Sequence, residues 1–250
     1  MPVLLVVPAR VGSTRLPRKP LQLLAGDPLV ARVVDRARDV PGIDRIVVAT
    51  DSEEIVAALA DREVEVLMTR ADHESGTDRV AEVAGHPEFA GYDIVVNLQG
   101  DEPDMPVGAV AGAIARAAAG DEIGTAAAPL DRALVSDPAR VKVVCDARGH
   151  ALYFSRAQVP YLRDEADLAS ARWWQHLGVY AYRRDALLHV TKLPPCLAER
   201  MERLEQLRAL DAGLRIGVAF LDASAPSGID TPDDLAAAEA RWHVTVPGKR

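Results

Sequence analysis

Four apolar runs punctuate the first hundred residues. Val3–Val7 is continuous and apolar, the pattern of a strand buried on both faces. "DRIVVATD" (44–51), "VEVLMT" (64–69) and "YDIVVNLQGDEP" (92–103) repeat the pattern, the last with an acidic exit. Helical periodicity fills the intervals. Residues 28–38 put Leu29, Val30, Val33, Val34 and Ala37 on one face. Ser52 followed by Glu53 and Glu54 reads as an N-cap and an acidic first turn. A third helix is expected over 77–84, and Pro106 opens an alanine-rich helix to about Ala119. Strand and helix alternating at these spacings mean βαβ units, a parallel sheet and right-handed crossovers. The first half therefore reads as a doubly wound domain of nucleotide-binding type.

The pattern changes in the middle. Residues 123–130, 141–146 and 151–155 are strand-like, and the last two flank "ARGH", a hairpin signal. Residues 176–182 are a further strand. The segment 161–174 is charged and irregular, and a mobile loop is expected there. Leu197, Met201, Leu204, Leu207 and Leu210 follow helical spacing over 197–211, and "RIGVAFL" (215–221) is a late strand. Thr231, Pro232 and Asp234 announce a final helix with a cap, a first-position proline and an acid at the third position.

Composition narrows the function. The chain has 250 residues, a formal net charge of -8, 49% hydrophobic and 26% charged residues. That balance suits a soluble globular protein and argues against nucleic-acid or anionic-membrane partners. No apolar run approaches the roughly 20 residues that span a bilayer. The start lacks the basic-then-apolar pattern of a secretory signal, so the cytoplasm is the expected address. Cys145 and Cys196 lie far apart, without zinc or redox spacing, and are expected to be small buried hydrophobes.

Against that acidic background, "VVPARVGSTRLPRKPL" (6–21) gathers Arg10, Arg15, Arg18 and Lys19 directly after the first strand. Gly12, Ser13 and Thr14 supply backbone amides that can face phosphate oxygens, and arginine meets phosphate bidentately. Pro17 and Pro20 stiffen the loop. There is no GxxxxGK[ST] P-loop. The loop suits a nucleoside triphosphate, the plainer alternative being a solvated basic turn. At the fourth strand's exit, Asp101 is placed to hold Mg²⁺, which takes one or two carboxylates besides phosphate oxygens and water. Asp230, just before the last helix, would complete a metal clamp if the chain brings it near.

The ordered motifs "PAR..STRLP.KP", "VATD", "TRADHESGTDR", "VNLQGDEP", "VKVVCD..G.ALYFSR", "HLGVYAY", "LEQLRAL" and "GIDTP.DL" run from about residue 3 to 236. Together they resemble the CMP-Kdo synthetase family, the 3-deoxy-manno-octulosonate cytidylyltransferases. The resemblance implies a doubly wound, mostly parallel α/β sheet of the nucleotide-diphospho-sugar transferase (GT-A-like) type with a smaller inserted mixed β-region. It implies one nucleotidyltransferase domain: a CTP-binding core over about 1–130, an acceptor-binding and dimerisation β-region over about 131–222, and a C-terminal helix and tail over 223–250. The reaction implied is Mg²⁺-dependent transfer of CMP from CTP to the anomeric hydroxyl of a 3-deoxy-2-ulosonic acid, with release of pyrophosphate by a homodimer.

By the family pattern Arg10, Ser13, Arg15 and Lys19 hold the triphosphate, and Asp101 and Asp230 hold Mg²⁺. Arg10, Arg15, Lys19, Asp101 and Asp230 form the catalytic set. The cytosine lies over Pro8 and Ala9, with Ser75, Gly76, Arg79 and Gly100 around the nucleotide. Ser75 and Gly76 also read as the cap of helix 77–84. Gln99, Arg156, His176, Tyr180, Glu205 and Gln206 are the sugar-acid set. By residue type alone a strand histidine such as His176 is more often a satisfied core residue than a ligand, and Glu205 and Gln206 read as readily as the polar border of a helix. This chain departs from the pattern at Arg18, where the family commonly has glycine, and at Arg200, where a histidine is familiar. A related ulosonic acid or a phosphonate remains an alternative acceptor. A sugar-1-phosphate nucleotidyltransferase is a rival enzyme, and a nucleotide-sensing binding module a non-enzymatic one.

Overall fold

The first apolar run continues beyond the point where its sequence halts: β1 spans Val3–Ala9 and all seven residues are buried. Pro8 thus lies inside the strand. Pairing on one side stops at Val6↔Asn97, so the proline's missing N–H removes no ladder bond there. The computed structural model describes residues 1–13 and 15–245, so Thr14 of the basic loop lies outside the described residues. The chain divides into two units, Pro2–Val107 with Pro226–Arg250, and Gly108–Ala225.

In the first unit, β2 (Arg45–Thr50), β3 (Glu65–Met68) and β4 (Ile94–Leu98) join β1 in the order β4-β1-β2-β3. Every pair is parallel, as the alternating pattern predicts. Helix α1 (Leu29–Arg38) buries the expected stripe and, beyond it, Ala31. Helix α2 (Glu53–Ala58) departs from expectation at its start. Ser52 makes no side-chain cap bond, and its N–H instead donates to Thr50 Oγ1 at 3.2 Å. Helix α3 (Gly76–Gly85) carries a complete capping box between Ser75 and Asp78.

In the second unit, α4 (Val107–Ala118) leads to β5 (Ile123–Pro129), then the antiparallel hairpin β6 (Lys142–Cys145) and β7 (Ala151–Ser155). Strand β8 (Trp174–Arg183) pairs antiparallel with β5 and β6, and β9 (Ile216–Phe220) parallel with β5. This is the mixed β-region the sequence suggests. Helix α5 (Arg184–Val190) follows β8.

The helix expected over 197–211 is two short ones, α6 (Leu197–Glu202) and α7 (Gln206–Asp211). Arg203 between them turns left-handed at φ 55. Leu197 and Met201 face outward while Leu204 and Leu207 are buried. The segment 161–174 holds a 3₁₀ turn, Glu165–Ala169. Trp173 anchors it, buried against Leu130 and Val135 with its indole N–H on the Pro160 carbonyl at 3.0 Å.

Neither cysteine is fully buried, contrary to expectation. Burial, aided by Asp146, pushes the Cys145 thiol up to about 11. Cys196 Sγ accepts the Glu199 N–H at 3.4 Å as the cap of α6.

The last helix, α8 (Pro232–Thr245), starts as its sequence announces. Asp234 N–H donates to Thr231 Oγ1 at 3.2 Å, and Thr231 N–H to Asp234 Oδ2 at 2.8 Å. Ile229, Ala238 and Leu235 pack with Leu16, Leu24 and Leu29, clamping the basic loop and the approach to α8 together. Burial of such side chains contributes about 1.5–3 kcal/mol each.

Candidate active site

A loop of exposed charge is fixed here by what it buries. Leu16 and Pro20 sink into the first unit, and a 3₁₀ turn over Lys19–Leu21 follows. Arg18 just before it sits at φ 55, the left-handed region that glycine tolerates best. Arg18 turns away to pair with Glu54, leaving Arg10, Arg15 and Lys19 to a cleft of about 360 Å³.

The cleft collects the whole expected nucleotide set. Pro8, Ala9, Arg10, Ser13, Arg15 and Lys19 come from β1 and its loop, Ser75, Gly76 and Arg79 from the start of α3, Gly100 and Asp101 from the exit of β4, and Asp230 from the approach to α8. Gln99, expected in the sugar-acid set, lines it too. The volume lies within the range of small-molecule sites. Gly100 is required by close approach, since a Cβ there would stand 2.8 Å from the Pro8 carbonyl oxygen. Gly76 is tight for the same reason, with Gln99 Oε1 at 3.2 Å from a would-be Cβ. Ser75 caps α3 and also borders the cleft.

Charge is concentrated at one end. Lys19 Nζ donates to Asp101 Oδ2 at 2.5 Å and to Asp230 Oδ1 at 2.8 Å. Arg15 meets the other oxygen of Asp230 at 3.0 Å. The Asp101 carbonyl accepts the Ile229 N–H at 3.0 Å, which places Asp230 beside Asp101. Burial opposes the charge on Lys19, but Asp101 and Asp230 outweigh it and hold the ammonium above its ordinary pKa. Burial, then the negative charges of Asp101 and Asp230, push the neighbouring Glu102 carboxyl well above the ordinary range. Two carboxylates converging on one cation are the donor set a hard divalent ion takes.

Arg79 is foreseen at the nucleotide, but its partners Asp51 and Thr69, and the acid Glu102, escape the sequence reading. Arg79 is buried, its guanidinium held by Asp51 at 3.2 Å and by the Thr69 hydroxyl. Asp51 closes the quoted "VATD", and only its position at a strand exit hinted at a role. Glu102, inside "QGDEP", carries no sequence signal that separates it from its neighbour Asp101.

A family model described as cytidylyltransferase matches residues 4–216. The chain is 52% identical over 247 residues to the 3-deoxy-manno-octulosonate cytidylyltransferase of Gemmatimonas aurantiaca, covering 98% of this chain and 95% of that one. It is 47% identical to the protein of the same name from Polynucleobacter necessarius subsp. necessarius, covering 93% and 92%. The chain belongs to the cytidylyltransferase family. A solved structure of CMP:2-keto-3-deoxy-manno-octonic acid synthetase complexed with CTP superposes with a TM-score of 0.91 at 38% identity, over 98% of this chain and all of that one. The mostly parallel α/β class with antiparallel parts agrees with that neighbour.

The remaining sugar-acid candidates of this cytidylyltransferase lie in the second unit. His176 is buried edge-on to Phe154, its Nε2 3.0 Å from Thr125 Oγ1. The Thr125 hydroxyl donates to the Val179 carbonyl at 2.7 Å, so the Nε2–H tautomer satisfies both groups. Burial takes the imidazole down to about 3, and it is neutral at physiological pH. The Tyr180 ring lies 5.4 Å from the His176 ring. Burial, then Tyr182 and Glu205, raise its phenol well above the usual value, so Glu205 faces the same neighbourhood. Gln206 is buried beside Glu205 at the start of α7. The Arg156 guanidinium is spent on the carbonyls of Glu202 at 2.7 Å, Pro138 at 2.9 Å and Arg203 at 3.3 Å. Buried Lys142 steadies it by donating to the Arg156 carbonyl at 2.5 Å.

Proposed function

We propose that this cytidylyltransferase transfers CMP from CTP to the anomeric hydroxyl of a 3-deoxy-2-ulosonic acid, Kdo, releasing pyrophosphate. The observation that carries the reading is the meeting of Lys19, Arg15, Asp101 and Asp230 in one cleft beside a floor of Pro8, Ala9 and Gly100. The names of the relatives and the CTP in the neighbour's structure support it.

The hydroxyl oxygen forms a bond to the α-phosphorus and gives up its proton to solvent as the bond from that phosphorus to the pyrophosphate oxygen breaks in line. Negative charge builds on the α-phosphoryl oxygens and on the leaving group, so positioning and electrostatics supply the catalysis. Arg10 and Arg15 offer bidentate donors to that charge, and Ser13 a hydroxyl. Pro8, Ala9, Ser75 and Gly76 leave a slot for a pyrimidine and exclude a purine by size. Arg79, fixed by Asp51 and Thr69, presents a preoriented donor there. Asp101 and Asp230 would hold Mg²⁺, which when bound neutralises phosphate charge and lowers the pKa of a coordinated hydroxyl. Arg156, His176, Tyr180, Glu205 and Gln206 would hold the sugar acid, Arg156 after exchanging backbone carbonyls for a carboxylate.

The working form is a homodimer: Leu197 and Met201, one turn apart on α6, are 71% and 76% exposed, apolar surface that a second copy would cover. The cytoplasm is its site of action. No helix among the described residues is long and apolar enough to cross a membrane. A panel of Kdo, related ulosonic acids, phosphonates and sugar 1-phosphates with CTP and Mg²⁺, read by the mass of the CMP adduct, tests the assignment. CMP-Kdo as the dominant product supports it; turnover confined to a sugar 1-phosphate, or CTP binding without any adduct, refutes it.

A further inference from the structure

Lys19 stands where a metal ion is wanted. Its ammonium bridges the two carboxylates read above as metal ligands, at 2.5 Å from Asp101 and 2.8 Å from Asp230. Arg15 occupies the remaining Asp230 oxygen. Like charges this close need a cation between them, and the chain supplies one of its own. The tether is short. Pro20 is buried and the Lys19–Leu21 turn is fixed by the bond from Leu21 N–H to the Arg18 carbonyl at 2.9 Å, so only the lysine side chain is free to swing. The same side chain is assigned to the triphosphate, and it cannot serve phosphate oxygens and both carboxylates at full strength together.

We propose that Lys19 is a tethered cation that fills the divalent-ion position in the nucleotide-free enzyme and surrenders it when CTP offers phosphate oxygens instead. This rests on the reading of Asp101 and Asp230 as metal ligands. Metal and CTP then bind as a coupled pair, each raising the other's affinity by the same factor. The free enzyme is protected from capturing a divalent ion without its substrate. No covalent bond is made or broken; Lys19 exchanges carboxylate for phosphate partners, and the carboxylates exchange the ammonium for the divalent ion.

The test is Mn²⁺ binding, followed by electron paramagnetic resonance of the free ion, to nucleotide-free protein. Wild type is compared with Lys19→Met, which keeps the length and removes the charge, and with Lys19→Met/Asp101→Asn. Lys19→Met should bind Mn²⁺ on the order of tenfold more tightly than wild type, as expected when two charge-assisted contacts no longer compete. The double variant should lose that gain. CTP should raise Mn²⁺ affinity more in wild type than in Lys19→Met. Thermal unfolding checks that each variant folds, and Lys19→Gln replaces Lys19→Met if the latter does not. Unchanged nucleotide-free affinity in the lysine variant, with Asp101 still needed for Mn²⁺ in the CTP-loaded enzyme, overturns the exchange and leaves the metal site standing. Mn²⁺ binding indifferent to Asp101→Asn in every state overturns both.

Discussion

Arg15 is the cleanest probe of the site at the scale of one side chain. It is 66% exposed, so its removal costs the fold little, yet it faces the cleft beside Asp230. Arg15→Ala should lower kcat by roughly 10²–10³, the range for losing one preorganised donor at developing charge. Steady-state kinetics with an unchanged rate would return Arg15 to a solvated turn. Arg18 makes the opposite case. Its ion pair with Glu54 is exposed on both sides and weak, and its left-handed backbone is strained. Arg18→Gly should therefore alter unfolding free energy by less than about 1 kcal/mol, relief of strain offsetting the added freedom of the unfolded chain. A urea midpoint far below wild type would show that the ion pair matters more. The cations and acids of the nucleotide cleft were legible because their types and strand-exit positions announce phosphate chemistry. Asp51 was not, because a carboxylate that orients an arginine looks in sequence like any turn residue.

Elements set where those side chains stand. The reciprocal bonds of Thr231 and Asp234 start α8, and the Asp230 N–H also donates to Asp234 Oδ2 at 3.1 Å. Asp234→Ala should cost about 1 kcal/mol of stability as a lost cap and raise KM for CTP by loosening Asp230. Unaltered KM at the lower stability would separate the cap from the site. Gly100→Ala places a methyl against backbone that cannot yield easily. It should destabilise by about 1–3 kcal/mol and reduce CTP binding, measured by unfolding and calorimetry on the same sample. The alternating pattern revealed the parallel strands and α1, since each element has one period and one buried face. It failed over 197–211 for a physical reason. Helical spacing persists on both sides of Arg203, and no glycine or proline marks the left-handed residue that ends α6.

At the scale of the molecule, the buried imidazole of His176 links folding to pH. Its folded pKa of about 3 lies below the unfolded value of about 6.5, so the unfolded chain binds the extra proton between them. Stability is then full above about pH 6.5 and falls as the pH is lowered toward 3, by about 2 kcal/mol between 6.5 and 5. His176→Gln should flatten that slope in urea unfolding followed from pH 7 to 5; parallel slopes would contradict it. The α/β class followed from the order of strands and helices, whereas the partners of His176 and Arg156 depended on contacts between distant segments that no local pattern encodes. The reading of the nucleotide cleft depends on a triphosphate lying between guanidinium groups and carboxylates at the tips of one parallel sheet. The position of the α-phosphorus in crystals grown with CTP tests that claim most directly. Phosphate oxygens within hydrogen-bond reach of Arg10, Arg15 and Lys19, with Asp101 facing them, are the predicted result; a triphosphate bound anywhere else would contradict the account.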